Sequence, residues 1–284
     1  MHLSSIDAKY SQLRPLSNRR PTRSLSRLAQ APLIEVVFEL RWGEYSESQD
    51  GTTSLSFDPD EARFFPGIFG VLAHEAGFEH VEHIDAELHN LPHIATIRFR
   101  PGENLWPCYQ IGLGILTVNQ ANDGYDWETY KESILRAVSI LRSASRFWDT
   151  KSFPGLIAEL TYRDGFFFEE EETSFDFLQH NLQFRLSPPE SFLSDDRLAK
   201  KVDAIEFSFE LEVSRPMGRL IMELDEVTIN GRPGFAMDTS VQSSGTTLLL
   251  EEEPLLDWLE AAHDLQRHAF KTLINPTYAR RFNG

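Results

Sequence analysis

From residue 33 the chain alternates apolar and polar side chains with the period of two that a half-buried strand requires. Ile34, Val36, Phe38 and Leu40 fall on one side of residues 33–42, and Glu35, Glu39 and Arg41 on the other. The polar stretch 43–53 predicts a loop. Asp58-Pro59 predicts a helix start, and the helix runs to about Ala76, where Gly77 ends it. Strands are expected over residues 78–88, 94–100 and 109–120. The Asn122-Asp123-Gly124 turn leads to Asp126, an N-cap for a helix over 127–148. Along that helix Tyr130, Ile134, Ala137, Val138, Leu141 and Ala144 share one face, so it must lie on a sheet or another helix.

The second half repeats the order. A strand is predicted over 156–168. Thr173 with Asp176 opens a short helix over 175–182, further strands cover 204–213, 219–229 and 235–242, and a long helix over 255–274 stops at Asn275-Pro276. Leu33-Ile34 can be laid on Leu156-Ile157, Arg41 on Arg163, and Asp126-Trp127 on Asp257-Trp258. The connections between successive strands are too short for regular crossover units. The expected class is therefore α+β, as two similar halves, each a mainly antiparallel sheet packed by one long amphipathic helix. The expected division is a flexible basic arm at 1–30, a first half at 31–150, and a second half at 151–284, a divergent duplicate of the first.

Charge separates the arm from the rest. The whole chain holds 27 Lys+Arg against 44 Asp+Glu, a net charge of −17. The first thirty residues carry six basic side chains and Asp7 as the one acid, which leaves −22 on the remainder. Such a body repels nucleic-acid phosphates and anionic lipid, so neither nucleic acid nor membrane is an expected partner. The Ser- and Arg-rich opening has the composition of an organelle transit peptide, but a solvated or partner-reaching arm is the simpler reading. With one cysteine, Cys108, and no apolar run approaching the roughly 18 residues of a membrane span, the chain reads as cytoplasmic.

Each candidate for chemistry has an ordinary alternative. Five histidines crowd residues 74–93, yet on a strand His80 and His83 point to opposite faces, and no His-Glu-x-x-His occurs. Five residues separate His263 from His268, which turns them about 140° apart on a helix; His263 reads as a packed or boundary histidine. Cys108 reads as core filler, and Gly112-Leu113-Gly114 as glycines within a strand where another backbone comes close. No cofactor or metal is expected, and no catalytic residue is assigned. The acidic runs Glu169, Glu170, Glu171, Glu172 and Glu251, Glu252, Glu253 precede predicted helices, where they favour the positive end of the macrodipole. Together with Arg19, Arg20 and Arg23 of the arm they are the candidate partner-binding residues.

Three segments carry a likeness: residues 31–41, then residues 111–119 followed by Tyr125-x-Trp127, and the closing His263, His268, Ala269 and Phe270. With these the chain resembles a sporadically distributed bacterial family of uncharacterised proteins. The resemblance implies a setting among mobile accessory or defence genes. The expected function is a non-catalytic, protein-interacting accessory protein with a strongly acidic surface, in a defence or toxin-neutralising module. Its expected partner is another protein encoded nearby, with a homodimer as a further possibility. The alternative is a small-molecule-binding protein or enzyme with a cleft between sheet and long helix, lined by aromatics such as Trp42, Trp106, Phe166, Phe167 and Phe168.

Overall fold

Strand β1 (Leu33–Arg41) forms because β-branched and aromatic residues alternate with charged ones, and it lies in the middle of a nine-stranded antiparallel sheet. The computed structural model of the protein describes residues 32–47, 53–84, 91–122, 124–145, 153–169, 172–185, 189–198, 205–245 and 247–282. The basic arm with Arg19, Arg20 and Arg23 lies outside them, as do Glu170 and Glu171.

After β1 come a hairpin of β2 (Glu44–Glu47) and β3 (Thr53–Ser56), helix α1 (Pro59–Glu75), and strands β4 (His80–His83), β5 (Ala95–Arg100), β6 (Cys108–Gly112) and β7 (Ile115–Ala121). Helix α2 (Trp127–Ala144) follows. Then come β8 (Ile157–Phe167), the short helices α3 (Ser174–His180) and α4 (Glu190–Leu193), β9 (Glu206–Ser214), β10 (Met217–Ile229) and β11 (Arg232–Ser243). The long helix α5 (Glu252–Leu273) and the single turn α6 (Pro276–Ala279) close the chain. The sheet order is β4-β5-β6-β7-β1-β8-β11-β10-β9, so β7 returns to β1, β11 returns to β8, and β1 meets β8 in the centre.

The fold is α+β around one large antiparallel sheet. Helix starts follow local chemistry: the Asp58 side chain accepts from the Asp60 amide, Asp126 from Thr129, and Thr173 from Asp176. Two expectations are corrected. Residues 43–53 are not wholly loop, because β2 and β3 pair in a two-stranded sheet of their own. The single strand expected over 109–120 is two strands, β6 and β7, folded back through Leu113-Gly114. Gly114 has φ +70°, and a Cβ there would lie 2.5 Å from the Trp42 carbonyl oxygen; a Cβ on Gly112 would meet the Ile94 carbonyl oxygen at 1.8 Å. The glycines thus mark a tight turn and a close approach, which composition alone does not separate from a straight strand.

Period-two alternation sorts the sheet into two faces. Val36, Phe38, Leu40, Val118, Leu160, Leu220 and Val241 meet Phe65 and Phe69 of α1, Tyr130, Ile134 and Leu141 of α2, and Leu255, Trp258 and Leu259 of α5. A second cluster joins Phe166, Leu224, Phe235 and Met237 to Phe177 of α3, Ala269 of α5 and Tyr278 of α6. Ile34 breaks the alternation: a register shift between Leu33 and Glu35 leaves it exposed. Trp42 and Phe166 are core residues, as aromatics usually are. Among the described residues no helix is long and apolar enough to cross a membrane.

Candidate functional site

The opposite face carries the polar half of every strand. One residue from each strand forms a row across the whole sheet: Glu82, Arg98, Gln110, Thr117, Glu39, Glu159, Gln242, Arg219 and Glu212. Hydrogen bonds link this row to its neighbours. Arg98 donates to Glu82 (3.1 Å) and Gln110 (3.2 Å), Gln110 to Asn119 (2.8 Å), and Asn119 to Glu35 (2.8 Å). Farther along, Arg41 reaches Glu159 (2.5 Å), Thr161 pairs with Ser240 (2.7 Å), and Arg163 forks onto Asp238 (2.8 and 2.5 Å). Cys108 lies in this face beside β5, buried, with its thiol pushed up to about 12 by burial, so it is inert filler.

The two ends of the face differ. On the β5–β7 side arginines and amides consume the carboxylates. On the β9–β10 side Glu206, Glu210, Glu212, Glu223 and Asp225 are all exposed, against Arg219, which binds Glu210 at 3.0 Å. The negative charge of the sheet face is therefore concentrated at one edge.

The predicted acidic runs have other work. Glu169 pairs with Arg281, and its amide donates to Glu172, whose other oxygen accepts from Asn181. Glu251 is the N-cap of α5 and pairs with Arg142 at 3.2 Å; Glu252 and Glu253 occupy the first turn, exposed. Glu169 binds a residue beyond the far end of α5, a helix of 22 residues and hence about 33 Å long, so the two runs do not form one patch.

Beneath α5 lies a second polar group that the sequence argument did not assemble. The Tyr162 hydroxyl is 2.5 Å from that of Tyr125 and 2.8 Å from Nδ1 of His263. His263 stacks on Trp127 with centroids 4.1 Å apart and planes 9° from parallel. Trp127 Nε1 donates to Glu260 at 3.3 Å, and Lys131 pairs with the same carboxylate. Burial, aided by Arg267, lowers His263 to about 4, so the ring is neutral near pH 7. Tyr125 donating to Tyr162, and Tyr162 to Nδ1, satisfies both hydroxyls and leaves the Nε2 proton outward.

One turn of strand farther on is Asp164, 6% exposed, with no hydrogen-bond partner among the described residues. Burial, and then the nearby Asp238 carboxylate, push it up to about 7. A signal for this residue was present in the sequence: Ala158, Leu160, Tyr162, Asp164 and Phe166 are the inward positions of β8, and one of them is an acid. Tyr125, Trp127 and His263 stood in the motifs of the family resemblance, but nothing in their spacing announced that they meet.

Among the described residues no three His, Cys, Asp or Glu side chains converge as a metal site, and His80 and His83 face opposite sides of the sheet, opposite Arg100 and Ile97. His268 is exposed and takes no part in the His263 cluster. No family model matches the chain, and no curated protein or solved structure does either.

Proposed function

We propose that this chain is a non-catalytic, protein-interacting accessory protein that engages a basic protein encoded nearby, in a bacterial defence or toxin-neutralising module. The observation that carries this reading is the acidic end of the polar sheet face, where five exposed carboxylates oppose one arginine. Such a surface raises the association rate of a basic partner and rejects acidic ones. The family resemblance supports the setting. The sheet order supports two divergent halves, since in each a first strand pairs with the last strand of its meander and a long helix follows. Overlaying β1, β7 and α2 on β8, β11 and α5 should bring Asp126 onto Asp257; helices that fail to overlie would refute the duplication.

The test is coexpression with the products of adjacent genes, one at a time. A stoichiometric complex is expected that weakens at high salt and is lost when Glu223 and Asp225 become Lys. Failure of every product to coelute at physiological salt, or indifference to these charge reversals, overturns the reading.

The buried Asp164, without a hydrogen-bond partner among the described residues and beside the Tyr125–Tyr162–His263 chain, favours a second reading, a small-molecule site between sheet and helix. A panel of uncharged hydroxylated aromatics should then raise the melting temperature of the protein, and Tyr162→Phe should cancel the rise. No shift with any member sets this reading aside.

A further inference from the structure

The two edges of the sheet are unequal. β4 offers four residues; β9 offers nine, and among the described residues β9 pairs only with β10. In an antiparallel strand successive residues aim their backbone groups to opposite sides. The Glu226 amide donates to Ile205 O, toward β9, whereas Met217 O accepts from Ser244 on the other side of β10. Even-numbered residues of β10 therefore bond β9, and their partners there are Phe207, Phe209, Leu211 and Val213. The N–H and C=O groups of Glu206, Ser208, Glu210, Glu212 and Ser214 point away from the sheet.

Side chains divide the same way. The outward-bonding residues put Glu206, Glu210 and Glu212 on the open face, next to the exposed Glu223 and Asp225 of β10. The other side of β9 carries Phe207 and Phe209, half-buried against Phe184, and Leu211, which is 51% exposed. A second copy pairing here antiparallel would set glutamates against glutamates, an arrangement that keeps edge strands from joining one another.

We propose that the β9 edge is a strand-addition site for an extended protein segment in which basic residues alternate with apolar ones. The arriving strand takes the five outward-pointing donor and acceptor pairs, lays its Lys or Arg side chains beside Glu206, Glu210 and Glu212, and covers Leu211 with its apolar side. The inference rests on the reading of the acidic surface as a partner surface, and adds the element and the form of the ligand.

Proline separates the two. At Glu210 or Ser208 it removes an outward N–H and leaves the bonds to β10 intact, as edge strands tolerate. The probe is a nine-residue peptide alternating Arg and Val, with a control of the same composition whose arginines form one block, titrated into the full chain by calorimetry. The alternating peptide is expected to bind about tenfold tighter than the control, and Glu210→Pro and Ser208→Pro to lose about tenfold while keeping the parent's melting temperature. Residue-level hydrogen exchange reads the same event without a variant: the amides of Ser208, Glu210 and Glu212 should exchange fast in the free protein and slow with peptide. Equal binding by the proline variants, together with loss in Glu223→Lys/Asp225→Lys, overturns strand addition and leaves the acidic-surface reading standing. No binding of the alternating peptide, or unchanged exchange at these amides, also overturns it.

Discussion

The two faces of the sheet are built from the same strands and differ by one residue in register, yet they hold the molecule by different physics. On the helix side Phe38 is fully buried and meets Trp258 edge-on at 6.3 Å; on the open side its neighbour Glu39 pairs with Arg41 at 2.8 Å. Removing apolar area from water is worth about 1.5–3 kcal/mol for a side chain of this size, whereas an ion pair at a surface is worth about 0–1 kcal/mol, and the partial burial of Glu39, which raises its carboxyl, offsets part of its attraction to Arg41. Stability therefore belongs to the covered face, and the open face is left to vary its charge. A polar group on the covered face is correspondingly costly, which sets Asp164 apart from Asp238 on the neighbouring strand β11: among the described residues Asp164 has no hydrogen-bond partner, while Asp238, on the other face, holds Arg163.

The sharpest way to break this comparison is Phe38→Ala. It should cost about 3–5 kcal/mol in equilibrium denaturation, through lost transfer and the cavity left under α5. A loss below about 1 kcal/mol would show that the helix side is not where the stability lies.

Next comes Asp164→Asn. With its folded carboxyl raised to about 7, the protonated form is the one the fold favours. Its contribution is fully present below the unfolded value near 4 and is lost as pH rises through 7, an effect of order 4 kcal/mol by linkage. The Asn variant should therefore be more stable than the parent at pH 8, and the difference should close toward pH 4. Parallel stability curves would contradict the assignment.

His263 slopes the other way. Its folded value of about 4 lies below the unfolded 6.5, so its contribution is present above 6.5 and lost as pH falls toward 4. His263→Gln should remove this acid-side loss, about 2 kcal/mol after allowance for its partial exposure. Denaturation midpoints measured from pH 4 to 7 resolve the change.

The smallest effect is expected from Arg163→Ala on the open face. Arg163 is 51% exposed, so its fork onto Asp238 should contribute less than about 1 kcal/mol, and less still at high salt. A loss comparable to that of Phe38→Ala would erase the distinction between the faces.

Much of this was legible because it is local. Alternation in residues 206–213 follows from backbone geometry alone, and the caps at Asp58, Asp126 and Thr173 need only the next three residues. Where the signal was ambiguous at short range the reading slipped. A glycine-bearing apolar run at 109–120 is one strand or two depending on whether Gly114 turns, and that depends on Trp42 and Phe57, far away in sequence. The acidic runs were visible as composition, but their use by Arg281, Asn181 and Arg142 was not.

Residue order by itself therefore settled where the capped helices start and which side of regularly alternating strands such as β9 faces oil. Only tertiary pairing decided that β1 and β8 meet at the centre, that β9 lies at a rim and pairs among the described residues with β10 alone, and that Tyr125, Tyr162 and His263 touch. The reason is that local conformation is set by neighbours within a few residues, whereas strand order and side-chain convergence depend on closing long loops around a shared core, where many distant contacts must be satisfied together.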